Sequence, residues 1–325
     1  MDLLTEIKLP VKEEIEQFDL IFRESLRSDN KLIEAAVDHF LQKKGKNLRP
    51  ILVLLAAKCS AGIINKNTLD SAVSLELLHN ATLLHDDVLD ETNLRRGIPT
   101  VNDKFSSKLA VLLGDFFLSN TLIKASGTDH LQIIKSISDF SAITVDGEIH
   151  QLNSANNVVI SEENYFQIIY KKTASLFVTC FRVGALSVDA SPEKIEILEK
   201  FAHLLGLIFQ IRDDIFDYYP STEVGKPTGN DIREGKITLP LIFALNSCSI
   251  ADKQAMMSII DSKNYTSENI DVLIQFAIDN GGIDYAKNKM FVMRDEATDY
   301  INRIEESQSR NSLFLILDYI IDRNL

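Results

Sequence analysis

A chain of 325 residues that is 45% hydrophobic can bury a large core, and its formal net charge of -13 opposes non-specific nucleic-acid binding, which needs a basic face to displace counterions. Cys59, Cys180 and Cys248 are widely separated and form no C-x-x-C pair, so neither a disulfide frame nor structural zinc is expected. The start, Met1 to Glu6, has no basic stretch, and the longest unbroken apolar run, Ile51 to Ala57, is far short of a membrane span, so the expected protein is cytoplasmic with no stable membrane insertion.

Helix breakers are scarce, with 13 Gly and 7 Pro, and apolar positions recur at i, i+3 and i+4 almost throughout. The expected fold is all-α: a single bundle of long helices around a central cavity, with residues 1–325 forming one domain. In chain order the periodicity predicts helices near 11–28, 30–43, 49–61, 68–91, 104–125, 129–153, 162–188, 192–218 and 237–248, with several more to the C-terminus. Thr68 before Leu69, Ser161 before Glu162, and Ser191 ahead of Pro192 read as N-caps, and Gly281-Gly282 as a stop. Two polar loops stand out, Glu91 to Pro99 and Ser221 to Lys236.

Each of those loops follows a copy of one acidic pattern: Asp86-Asp87-Val88-Leu89-Asp90 and Asp213-Asp214-Ile215-Phe216-Asp217, both embedded in helical apolar stretches. In a helix the first and last Asp of each copy share a face and the middle one sits about 100° round. Like charges on a partly apolar face need a counter-ion, and a hard divalent cation with oxygen ligands supplies one. The helices near 68–91 and 192–218 are expected to present these clusters across the cavity. Lys46, Arg49, Arg95, Arg96, Lys172, Lys226 and Lys236 are the cations available near them. Carboxylates, divalent ions and basic side chains together suit a diphosphate.

The segments Lys44-Gly45-Lys46-Asn47-Leu48-Arg49-Pro50, Glu76 to Asp90, Arg95-Arg96-Gly97, Gly114-Asp115, Gly147-Glu148 with Gln151, Lys172-Thr173-Ala174, Phe209-Gln210 to Asp217, Gly225-Lys226-Pro227 and Asp231 to Lys236 resemble the trans-isoprenyl diphosphate synthases, in that family's order over nearly the whole chain. One departure is Lys44-Gly45-Lys46, where the family has Gly-Gly-Lys. The resemblance implies a homodimer and three Mg²⁺ ions held by Asp86, Asp87, Asp90, Asp213, Asp214 and Asp217 on an allylic diphosphate, assisted by Arg95, Lys172, Lys226 and Lys236. It gives Lys46, Arg49, His79 and Arg96 to the diphosphate of isopentenyl diphosphate, and puts Thr173 and Gln210 near the reacting carbons. Ala81 and Thr82 lie five and four residues before Asp86, and small side chains there leave a product tunnel open. The product expected is medium or long, octaprenyl diphosphate being the single best match, with Phe140 a candidate floor.

Rival readings follow from subsets of these residues. A short-chain synthase making geranylgeranyl or farnesyl diphosphate has the same clusters. A non-catalytic partner subunit would have lost some of them, and a class I terpene cyclase replaces the second cluster. His79 with His85-Asp86 is similar to helical metal phosphohydrolases, a reading that leaves the second cluster unused.

Overall fold

The structure is a computed structural model that describes residues 2–43, 45–156, 161–219 and 228–322. It is all-α, as expected. In chain order the elements are α1 (Leu3–Lys8), a 3-10 turn (Leu9–Val11), α2 (Lys12–Ser25), α3 (Lys31–Phe40), α4 (Leu48–Ala61), α5 (Lys66–Leu89), β1 (Leu94–Arg95), β2 (Ile98–Pro99), α6 (Val101–Lys104), α7 (Ser107–Ser126) and α8 (Leu131–Asn156). They continue with α9 (Glu162–Ile169), a π-helical turn (Tyr170–Ala174), α10 (Ser175–Leu186), α11 (Pro192–Phe216), α12 (Asn230–Arg233), α13 (Leu239–Ser247), α14 (Ile250–Ser262), α15 (Ser267–Asp279), α16 (Gly282–Ile301) and α17 (Gln308–Asp322). The expected helix ends fall within a few residues of these, the usual spread where terminal turns fray.

Ser161 caps α9 by accepting the Asn164 N–H at 3.0 Å. The start of α5 differs from expectation. Its cap is Asn65, and Thr68 is the third residue of a reciprocal capping box. Asn65 is also held by donating to the Ser187 carbonyl at 2.6 Å, a partner 122 residues away that local spacing does not reveal.

The chain packs into two compact units. The first contains residues 1–141, 179–199 and 304–313, and the second contains 142–178, 200–303 and 314–325. In the first, α4 is buried from Pro50 to Ala57 and packs on α5, which also lies along α7. The uninterrupted Ile51–Ala57 run is therefore a core helix, apolar all round. Gly184 lets α10 approach α4 closely, since a Cβ there would sit 2.3 Å from the Val53 carbonyl oxygen. In the second unit, α13 packs on α15 and α16, and Phe201, Leu205, Ile208, Ile211 and Ile215 give α11 a fully buried stripe. Among the described residues α7 alone is long and apolar enough to cross a membrane, although it contains no long unbroken apolar run.

Candidate active site

In the first unit the acidic cluster forms the last turn of α5. Asp86 is partly buried, Asp87 is 3% exposed, and Asp90 is exposed and ends the helix. Asp87 accepts two N–H groups of Arg95, from Nε at 2.8 Å and Nη2 at 2.7 Å, so its charge is already matched by the protein. Arg95 is positioned by a small hairpin in which Leu94 pairs with Pro99 and Arg95 with Ile98. Its two-residue turn is Arg96-Gly97, with φ of 53° and 76°, the left-handed pair that a type I′ hairpin requires. Arginine in that region is strained. The strain is offset where Arg96 Nη1 donates to the Lys43 carbonyl at 2.9 Å and its guanidinium lies over Gly45, where a Cβ would come within 3.1 Å of Nη2. Sequence reading missed this hairpin.

His39 locks the hairpin to α3. Its Nε2 donates to the Pro99 carbonyl at 2.8 Å and its Nδ1 accepts from Lys104 at 3.0 Å, since an ammonium can only donate. Beside it, Gly45, Glu76, Asn80 and Arg96, with Phe22 and Phe40, line a narrow cavity. Burial disfavours the charge on Arg49 and on Glu76, while each stabilises the charge of the other. Arg49 Nε and Glu76 Oε2 are buried atoms without a hydrogen-bond partner among the described residues. Burial, and then the neighbouring Arg49, Arg96 and Arg95, push His79 well below the usual imidazole range, so it is neutral at physiological pH and would meet an anion as a hydrogen-bonding group.

The first unit thus gathers Arg49, His79, Arg95 and Arg96 near the acidic turn, and Lys46 lies exposed on the loop before α4. Ala81 is fully buried and Thr82 partly so, its hydroxyl donating to the His79 carbonyl at 2.8 Å. Phe140 is buried on α8. His85 points to α7, with Nε2 3.2 Å from the Val111 carbonyl in space that Gly114 leaves open. The same nitrogen lies 3.5 Å from Asp115 Oδ1 on that helix.

The second unit builds its cluster in the same way, on the last turns of α11. Asp213 is exposed, Asp214 is 3% exposed, and Asp217 is partly buried. Asp214 is tied inward: Tyr165 Oη donates to Oδ2 at 2.6 Å and Gln210 Nε2 to Oδ1 at 2.7 Å. Burial, then the neighbouring Asp231, raise the Asp214 carboxyl well above its ordinary range, and burial beside Asp214 raises the Tyr165 phenol. Asp217 accepts the backbone N–H groups of Asn230 and Asp231, each at 2.9 Å, and so docks α12. Burial and Asp217 push Asp231 up to about 6, against the pull of Lys236.

Lys172 and Thr173 lie on the π-helical turn, a form frequent at functional sites. Two glycines seat that turn: a Cβ at Gly147 would lie 3.1 Å from Lys171 Cβ, and one at Gly206 only 2.5 Å from Ala174 Cα. Thr173 donates to Gln210 Oε1 at 2.7 Å, Lys172 pairs with Glu148 at 3.0 Å, and Lys236 pairs with Glu234. Gln151 lies in α8, and Lys226 lies outside the described residues. Tyr165 and Asp231 complete the set; Tyr165 carries no motif signal, and Asp231 opens the Asp231 to Lys236 segment of the resemblance without a role of its own assigned from sequence.

Among the described residues no three His, Cys, Asp or Glu side chains converge as a self-sufficient chelate. The donors present are carboxylate oxygens, the chemistry suited to Mg²⁺ sharing its shell with water and phosphate. They fit that ion in type.

A family model described as "Polyprenyl synthetase" matches residues 30–277. The chain is 33% identical over 300 residues to an octaprenyl diphosphate synthase of Haemophilus influenzae, covering 92% of this chain and 91% of that one. Among solved structures it is similar to a geranylgeranyl pyrophosphate synthase from Bacteroides thetaiotaomicron, with 37% identity, TM-score 0.86, and coverage of 99% of this chain and 100% of the other. It is also similar to a polyprenyl synthase from Caulobacter crescentus, a structure with calcium and isoprenyl diphosphate, at 28% identity, TM-score 0.90, and coverage of 99% and 98%.

Proposed function

The chain belongs to the polyprenyl synthetase family and is a trans-prenyltransferase, and on that premise we propose that it extends an allylic diphosphate, farnesyl diphosphate in the first instance, with isopentenyl diphosphate units to a medium- or long-chain product. The observation that carries the site assignment is the shared construction of the two acidic clusters. Each closes a long helix of a core, and each has a middle aspartate 3% exposed and held by protein donors. The division of labour follows from burial. Asp86, Asp90 and Asp213 would hold the ions, three Mg²⁺ in all, together with Asp87, Asp214 and Asp217, which also anchor Arg95, Gln210 and α12.

Magnesium held by these carboxylates would supply Lewis-acid stabilisation of the negative charge on the leaving diphosphate, lowering the barrier to ionisation. Arg95, Lys172, Lys226 and Lys236 assist on the allylic diphosphate, and Lys46, Arg49, His79 and Arg96 hold that of isopentenyl diphosphate. Thr173 and Gln210 lie beside the allylic cation in a weakly polar wall, which shields it from water. The alkene attacks the cation, and the released diphosphate takes the proton, so no protein base is required.

An octaprenyl product is supported by the small side chains of Ala81 and Thr82 ahead of Asp86 and by the curated octaprenyl relative. A short-chain product is the second reading, favoured by the 37% identity to the geranylgeranyl synthase structure. We place the enzyme in the cytoplasm, as one synthase domain over 1–325 that acts as a homodimer. Purified protein incubated with Mg²⁺, farnesyl diphosphate and isopentenyl diphosphate should release diphosphate and yield polyprenols resolvable by chromatography. Absence of elongation without an added subunit would refute the catalytic reading, and a twenty-carbon end product would select the short-chain one.

A further inference from the structure

Four side chains of the second unit form one directional hydrogen-bond chain that no acidic or basic motif requires. It begins at the buried Tyr165 phenol, passes through Asp214 and Gln210, and ends on the Thr173 hydroxyl, with separations of 2.6, 2.7 and 2.7 Å. Tyr165 and Asp214 are 5% and 3% exposed, whereas Gln210 and Thr173 are only partly buried. The inner end is therefore shut off from water that could replace a lost partner.

The direction of each bond is set by the one before it. As the carboxylate that metal binding requires, Asp214 accepts from Tyr165 on one oxygen and from Gln210 on the other. This turns the amide NH2 of Gln210 toward Asp214, so its carbonyl must face Thr173. A threonine hydroxyl has one proton, and here Gln210 Oε1 takes it. The remaining lone pairs of Thr173 Oγ1 then point away from the chain as a fixed partial negative charge. A hydroxyl free to rotate could present its proton instead, and a proton aimed at a developing cation raises the barrier that a lone pair lowers. The π-helical turn brings Thr173 to Gln210, and Gly206 brings that turn against α11.

We propose that Tyr165 is a positioning residue for prenyl transfer: through Asp214 and Gln210 it holds the Thr173 hydroxyl as an acceptor-only oxygen toward the allylic cation. This rests on the proposed function, which sets Thr173 beside the reacting carbons. Tyr165 touches no substrate, so its effect belongs to kcat and must vanish when Thr173 has no hydroxyl.

The test is a double-mutant cycle between Tyr165→Phe and Thr173→Val, read as single-turnover condensation rate, with KM for both diphosphates and the thermal midpoint measured on each protein. Tyr165→Phe alone should slow condensation about tenfold, less than loss of a direct transition-state contact, with both KM values within about twofold. In the Thr173→Val background it should cause no further loss. Losses that multiply independently, or a change confined to KM, overturn the inference while leaving prenyl transfer standing. No elongation by the unsubstituted enzyme overturns both. Should Tyr165→Phe fail to fold, 3-fluorotyrosine at position 165 retains every atom of the chain and alters only donor strength. It should change the rate with Thr173 present and leave it unchanged with Val there, and an equal effect in both backgrounds overturns the proposal.

Discussion

Asp231 holds its carboxyl near pH 6 because burial, and then the negative Asp217, penalise its ionised form more than Lys236 relieves it. A folded pKa above the unfolded value of 3.8 means that the native state binds the proton more tightly. The associated stability is fully present below pH 3.8 and is lost as pH rises through about 6. At pH 7.5, above both values, the loss is on the order of 3 kcal/mol. Asp231→Asn in metal-free buffer should therefore raise the thermal midpoint at pH 7.5, with the gain fading toward pH 4. A difference that stays constant across that range would disprove the assignment. Ala81 bears on product length in the same single-residue way. It is fully buried one turn and a half before Asp86, and each helical turn advances about 5.4 Å, close to one extended isoprene unit. Ala81→Phe should shorten the product distribution by chromatography, and unchanged products would remove Ala81 from the tunnel wall.

Long elements were legible before the structure, and short or distorted ones were not. Helices α2 to α5, α7, α8, α11 and α13 follow from apolar periodicity because each buries a stripe or a full circumference over many turns. The β1–β2 hairpin has strands of two residues, too short for any alternation, and its turn places Arg96 where glycine or asparagine is the usual signal. The π-helical turn was read as uninterrupted helix, because one wider turn barely disturbs a 3.6-residue pattern. Motif positions were legible, yet their partners were not: Tyr165 under Asp214 and Glu76 beside Arg49 depend on contacts far apart in sequence. The seat of the π turn is a direct test at this scale. Gly206→Ala forces a Cβ to within 2.5 Å of the Ala174 backbone, and overpacking of this kind destabilises by about 1–3 kcal/mol. The variant should unfold earlier on heating and should lose condensation rate as Lys172 and Thr173 shift. Wild-type values for both would show that the turn can adjust without them.

Across the whole molecule, the apolar surface of α7 is the feature that a lone acidic chain does not explain. Val111, Leu112, Leu122 and Ile123 are 40%, 56%, 65% and 63% exposed, and residues eleven apart return to one face of a helix after three turns. Such a stripe fits burial against a second copy, in keeping with the proposed homodimer. Light scattering should report a dimer for the unsubstituted protein and a monomer for the double variant Leu112→Glu with Leu122→Glu. A dimer that survives both substitutions would move the interface elsewhere.

The interleaving of the two units also governs when they can fold. Unit one draws on residues 1–141, 179–199 and 304–313, so it cannot be completed from one contiguous stretch of chain. Unit two is likewise discontinuous, drawing on residues 142–178, 200–303 and 314–325. Helix α4, with its apolar Ile51–Ala57 run, packs on its chain neighbours α2 and α5, so part of unit one can bury this run early, while completing the unit awaits segments more than a hundred residues downstream. Removal of residues 304–313 should therefore loosen the first unit although they lie far from it in sequence, and an unchanged thermal midpoint would show that this late segment adds nothing.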